Sequence, residues 1–136
     1  MKRENEKIDE IRKFLEELEK IVPEKFEEYN SNNLTKAACE RYVEKVVEGV
    51  TDIAFMIIKH KKFEIPEDDI DSFRILKDHK VIKEELYKKL KQAKGMRNIL
   101  AHEYGKIDDS IIFNSIKNEL GEDVENFLKE ATKWLK

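Results

Sequence analysis

The sequence predicts an all-α protein, a four- to five-helix up-and-down bundle that dimerises. Three observations lead there. Apolar residues recur at i, i+3, i+4 and i+7 along most of the chain, the period of a helix with one buried face. Only four glycines and two prolines interrupt the 136 residues, too few turn formers for the many short strands of a sandwich or barrel. Charged residues make up 42% and hydrophobic residues 40%, a balance that suits amphipathic helices in water. A chain of this length closes one core, so residues 1–136 are read as a single helical domain.

The elements follow in order. Ile8, Ile11, Leu15, Leu18 and Val22 fall at helical spacing until Pro23 interrupts them, which predicts a first amphipathic helix. EKFEEYN is read as a short helix and SNN as the turn behind it, polar residues being good helix boundaries. Over about residues 34 to 61, Leu34, Ala38, Tyr42, Val46, Val50, Ile53 and Ile57 form one stripe, which Val43, Val47, Ala54 and Ile58 widen. Its second half, VTDIAFMII, is apolar on nearly all sides. One small bundle is not expected to cover such a surface, so residues 50–58 are predicted to pack partly against a second copy.

The proline and acids of KKFEIPEDDIDSF predict a helix entry, with a modest helix around residues 70 to 76. From about Lys83, the residues Leu86, Leu90, Ala93 and Leu100 carry a helix into GMRNILAHEYG, where Gly105 is a suitable stop. Asp108 or Asp109 is placed to cap a last helix striped by Ile112, Ile116, Leu120, Val124, Phe127, Ala131 and Leu135, with Gly121 as its expected kink.

Composition excludes several classes of function. Lys plus Arg is 27 and Asp plus Glu 30, a formal net charge of -3, so any binding of phosphate must be local rather than a property of the whole chain. Cys39 is the single cysteine, which forbids an intramolecular disulfide and a thiol-based zinc site; a reducing cytoplasm is expected. The first ten residues are charged throughout, and no apolar run approaches the roughly 18 residues of a membrane span, so neither export nor a membrane anchor is expected. The phosphate-binding loop, dinucleotide-binding, metalloprotease and nucleophile-elbow motifs are missing from the sequence, and His60, His79 and His102 are widely separated. No metal and no cofactor is therefore expected. His60 and His79, in KHKK and KDHK, are read as solvated histidines at helix C-termini.

RNILAHEY differs from these. Ile99, Leu100 and Ala101 are expected to pin its backbone into the bundle, leaving Arg97, Asn98, His102 and Tyr104 to point elsewhere. On an ideal helix Arg97 and Tyr104 share a face about 10 Å apart, and His102 lies about 140° around from Arg97. Three arrangements would unite them: a loosened helix end, long side chains meeting over a groove, or two copies completing each other across a two-fold axis, the preferred one. The plain structural alternative is an arginine capping carbonyls, a histidine at a helix C-terminus and a half-buried tyrosine.

R-N-I-L-A-H-E-Y, with GMRN before it and a glycine after it, resembles the R-x-x-x-x-H-x-Y motif of the HEPN superfamily, in the form carried by the HepT-like toxins of HEPN/MNT toxin–antitoxin modules. ERYVEKVVEGVTDIAFMII is similar to that family's long helix, and the likeness covers roughly residues 34 to 120. It implies a HEPN-like helical bundle and a homodimer with the motifs at its interface. It further implies a metal-independent endoribonuclease toxin, inhibited by a cognate nucleotidyltransferase (MNT-type) antitoxin that transfers AMP groups to the motif's tyrosine, here Tyr104. Arg97 and His102 then carry catalysis, Asn98 and Tyr104 support it, and Glu48 and Asp52, four apart on one helix face, look like the family's acidic positions.

Such cleavage needs a base for the 2′-OH proton, an acid for the leaving 5′-oxygen and a cation for the charge gathering on phosphorus. Imidazole and guanidinium suit those tasks. Asn98 would orient one of these groups or hold the ribose, and Lys91 and Lys94 extend a basic run from Arg97 that would guide RNA. The rival reading uses the same pocket in a non-catalytic HEPN subunit that binds nucleotide or RNA and assists a partner nucleotidyltransferase.

Overall fold

Helices account for nearly all of the computed structural model, which describes residues 2–102 and 107–136; no strand occurs among them. Helix α1 (Lys2–Ile21) buries Ile8, Ile11, Leu15 and Leu18 of the expected stripe, while Val22 falls beyond its end and is half-buried. After Pro23 comes the short helix α2 (Phe26–Ser31). Asn32 then caps α3 (Asn33–Lys61), its side-chain oxygen accepting from the Thr35 amide. Helix α4 (Asp69–Asp78) begins at Asp68, whose carboxylate accepts from the Asp71 amide at 2.7 Å. Helix α5 (Glu84–His102) carries the candidate motif; the expected stop at Gly105 lies outside the described residues.

Asp108 caps α6 (Asp109–Ser115), receiving the amides of Ser110 and Ile111. A π turn (Ile116–Leu120) and α7 (Gly121–Trp134) continue it without a break, since Ser115, Ile116, Leu120 and Gly121 all keep right-handed helical torsions. The irregularity expected at Gly121 thus takes the form of a π turn that ends just before it. Ile112, Ile116, Leu120, Val124, Phe127, Ala131 and Leu135 are all buried, the full stripe. No helix among the described residues is long and apolar enough to cross a membrane.

Helix α3 is the post around which the others stand, packed by α1, α2, α4, α5 and α7. Val50, Ile53, Ala54, Ile57 and Ile58 are at most 5% exposed within a single chain, whereas Phe55 in the same stretch is 36% exposed, so the other helices cover most of the apolar half of α3 and leave Phe55 open. One correction concerns Leu34, which stands 85% exposed in the first turn of α3, ahead of the point where the neighbouring helices close in.

Helix α1 approaches α3 closely at Gly49. A β-carbon built there would lie 2.5 Å from Cγ1 and 2.9 Å from Cδ1 of Ile11, and Ile11 is itself fully buried. The Gly49→Ala substitution must therefore push α1 away or force Ile11 off its rotamer. It should destabilise the fold by about 1–3 kcal/mol, even though alanine is the better helix former. Urea or thermal unfolding checks this, and an alanine variant as stable as the parent would contradict the tight packing of α1 on α3.

Candidate functional site

Helical spacing divides α5 into two faces. Leu86, Leu90, Ala93, Arg97 and Leu100 turn toward the bundle, while Lys88, Lys91, Gln92, Gly95, Ile99 and His102 turn outward. Burial follows the division, with Leu90 and Leu100 buried and Ile99 and Ala101 exposed. The anchor of the motif is thus Leu100, helped by the half-buried Met96 against the core, and not the expected trio. Three consecutive residues sweep about 200° of a helix and cannot all face inward.

Arg97 points at α3. Its Nη2 donates to Glu48 Oε1 at 2.6 Å, and its Nη1 makes a longer contact of 3.4 Å to Asn98 Oδ1. The side chain is only 19% exposed, and its Nε is buried with no partner among the described residues. Two of the guanidinium's five N–H groups are engaged, which leaves paired donors for an anion. The hydrogen bond from Arg97 holds the Glu48 carboxyl below the usual carboxylate range; partial burial opposes this, and the charges of Arg97, Arg41 and Lys45 reinforce it. Arg97 and Glu48 therefore form a fixed ion pair at neutral pH.

Asp52, one turn further along α3, goes elsewhere: its carboxylate is 3.1 Å from Lys7 Nζ on α1. Glu48 and Asp52 share a helix side but serve different neighbours. Lys94 corrects the expected basic run. It is 5% exposed, with Nζ 2.9 Å from Asp69 Oδ2 at the start of α4, so it is a tie between α4 and α5 and only Lys91 of the pair stays open to solvent. His102 ends α5 on the exposed side, so the structure does not bring it onto the face that holds Arg97. Tyr104 lies outside the described residues.

The other titratable candidates resolve simply. His60 is exposed near the end of α3. His79 is more than a solvated residue: its ring stacks on Phe63 with centroids 3.7 Å apart, and its Nε2 lies 2.7 Å from Glu64 Oε1, which clasps the loop after α3 to the end of α4. Burial pushes the Cys39 thiol up to about 11, so it is an inert core residue at neutral pH. No group of three or more His, Cys, Asp or Glu among the described residues is placed to hold a metal ion. Arg41 and Lys45 escaped the sequence reading, although their spacing from Glu48, i, i+4 and i+7, already placed all three on one side of α3.

The family model described as "Ribonuclease HepT-like" matches residues 11–131. A protein of Archaeoglobus fulgidus is 34% identical over 71 residues, 52% of this chain and 53% of that one. The "mRNA nuclease HepT" of Shewanella oneidensis is 31% identical over 86 residues, 63% of this chain and 64% of that one. The chain thus spans between half and two thirds of the length of these two relatives. Among solved structures, the tri-AMPylated Shewanella oneidensis HEPN toxin in complex with MNT antitoxin superposes with a TM-score of 0.90 at 23% identity, covering 96% of each chain. That likeness establishes the all-helical fold.

The Glu48–Arg97 pair has a pH signature. A carboxyl whose value is depressed in the folded chain stabilises it above the unfolded value and loses that contribution as pH falls through the folded one. Melting temperatures of the parent and Glu48→Gln should therefore differ most near neutral pH and converge in acid, as the pH falls below the ordinary carboxylate range and through the depressed value of the folded chain. The Glu48 side chain is 41% exposed, so the difference stays under about 1 kcal/mol. A difference that does not change with pH would mean that the pair contributes nothing through its charge.

Proposed function

This chain belongs to the HepT-like ribonuclease family, and we propose that it is a metal-independent endoribonuclease toxin whose activity a cognate nucleotidyltransferase antitoxin holds in check. The observation that carries the reading is the pairing of Arg97 with Glu48. A guanidinium aimed by a carboxylate, half sheltered from water and with donors to spare, is built to receive a phosphate rather than to cap a helix. Five residues on, an exposed imidazole ends the same helix.

In the proposed reaction the ribose 2′-oxygen attacks phosphorus, the bond to the 5′-oxygen breaks, and a 2′,3′-cyclic phosphate and a free 5′-hydroxyl result. His102 transfers a proton, Arg97 stabilises the charge on the phosphoryl oxygens, Asn98 steadies Arg97 from the side, and Glu48 fixes its direction. Asp52 stands behind as a second acidic position, tied to α1. Arg97 and His102 lie on different sides of α5, so a homodimer in which each copy supplies what the other lacks is the economical way to build one cleft, and it provides two histidines for the two proton transfers. RNA is the substrate and the cytoplasm the place of action.

Support for the antitoxin comes from the Shewanella oneidensis toxin, which is tri-AMPylated and in complex with an MNT antitoxin. The matching target here is Tyr104, two residues past His102. Each added AMP would bring a phosphate and a base to the end of α5, occupy the arginine and repel RNA.

Two experiments test the reading. Arg97→Ala and His102→Ala should each lower the rate of RNA cleavage by at least about 100-fold with helicity unchanged, and EDTA should leave the parent's rate as it is. Variants that cut at the parent rate, or activity that EDTA removes and a divalent ion restores, would refute the metal-independent assignment. For control, Tyr104→Phe co-expressed with a partner nucleotidyltransferase should gain no AMP mass and should escape neutralisation. AMP found on another residue would remove Tyr104 from the mechanism.

A further inference from the structure

Lys45 stands out on α3 because no carboxylate is bound to it. It follows Glu44 directly and lies one turn before Glu48. Both of those acids are already engaged, Glu44 with Arg41 Nη1 at 2.9 Å and Glu48 with Arg97 Nη2 at 2.6 Å. Further along the same side Asp52 is held by Lys7, and on α1 Glu17 accepts from the Tyr42 hydroxyl. Lys45 itself is half-buried, makes no ion pair among the described residues, and hangs its ammonium 5.3 Å from the centre of the Phe14 ring. An ammonium that is partly sheltered and left without a counter-ion is poised to take one from outside the chain.

The surroundings say which anion. Arg41, Lys45 and Glu48 fall at i, i+4 and i+7 on α3, which spreads them over about 10 Å of one side of the helix. Arg97 joins the end of that row through its bond to Glu48. The charges of Arg41 and Lys45 are felt at Glu48, where they help to hold the carboxyl down, so both stand close to the guanidinium that the proposed reaction sets on the phosphate being cut. Cations in a row match phosphates that recur along a strand. Rings lie beside them: Phe14 and Tyr42, both half-buried, pair with centroids 6.2 Å apart. Arg41, at the far end, has a side chain 58% exposed. Cations alternating with aromatic rings are the chemistry that receives a nucleotide, its phosphate on the former and its base on the latter.

We infer that Lys45 and Arg41 form a second phosphate subsite, on α3 rather than on the motif helix, which holds the phosphodiester next to the one being cut, with the attached base beside the Phe14–Tyr42 pair. The inference rests on the RNA-cleaving reading above and adds a requirement to it: the chain recognises at least one nucleotide beyond the bond it breaks. Neither cation takes part in the proton transfers.

Substrate length separates this subsite from the catalytic pair. The dinucleoside phosphate ApA has no phosphodiester other than the one cut, whereas a hexaadenylate also reaches the subsite. In Lys45→Gln and in Arg41→Gln the ratio of kcat/KM for the hexamer to that for ApA should fall about tenfold, the worth of one charged contact, through KM and not through kcat. Lys45→Arg, which keeps the cation, should restore the ratio. Damage to the fold or to the Arg97–Glu48 pair would slow both substrates alike and leave the ratio as it was, and that result would overturn the subsite.

Binding is read separately, with a fluorescent 2′-O-methyl hexaadenylate that has no 2′-OH to react. Each substitution to Gln should reduce the slope of log affinity against log salt by about 0.7. Unchanged slopes in both variants would overturn the subsite, as would a parent that does not retain the probe. A dimer that falls apart in Lys45→Gln, seen by light scattering, would also overturn it and give this face to a second copy. Slopes that fall as expected in a chain that cuts no RNA would leave the subsite standing and sink only the nuclease reading.

Discussion

The structure depends on the need of α3 to be covered on nearly every side. A helix this apolar in its second half cannot rest at the edge of a bundle; it must run through the middle, and the other helices take their places from it. Consecutive residues of α3 then face different partners. Glu48 reaches α5 and holds Arg97, Gly49 admits Ile11 of α1, and Asp52 meets Lys7 further along α1. A shift of α3 by one residue would rotate each of these about 100° away from its partner. The site is therefore fixed by the same contacts that close the core.

Most of this order was legible in the chain. Where a helix has one apolar stripe, as α1 and the α6–α7 rod do, periodicity states which residues go in, and burial follows it except at Val22, which lies just past the end of α1 and is half-buried. Pro23 and the capping aspartates Asp68 and Asp108 marked boundaries because their chemistry is local. What periodicity does not carry is the number of neighbours a helix will have. The apolar flank of α3 is the example: four other long elements of the same chain pack on it and leave Phe55 exposed. Lys94 was misread for a related reason: KKLKQAK looks uniformly solvated, and the carboxylate that draws one of its lysines inward sits in a different helix. The π turn at Ile116–Leu120 carries no signal in its residue types.

The candidate site was half legible in the same sense. The types and spacing of Arg97, Asn98 and His102 singled them out, and Glu48 was within reach as one of two acids on α3. Only the folded chain distinguishes the two acids, giving one to the arginine and the other to a lysine of α1. The glycine ahead of the motif could be seen but not weighed, since a helical glycine that merely admits a neighbour and one that faces open space read alike in sequence.

The tie between Lys94 and Asp69 turns α5 into an axle that cannot spin. Rolling this helix would drag a sheltered ammonium from its carboxylate partner, a change that proteins resist strongly, and would leave the angle of about 140° between Arg97 and His102 as it was. Internal rearrangement is thus a poor way for this chain to unite the two side chains. On the proposed reading the working state is assembled by what arrives from outside, and an added group that blocks that arrival would silence a part that is rigid rather than one that moves.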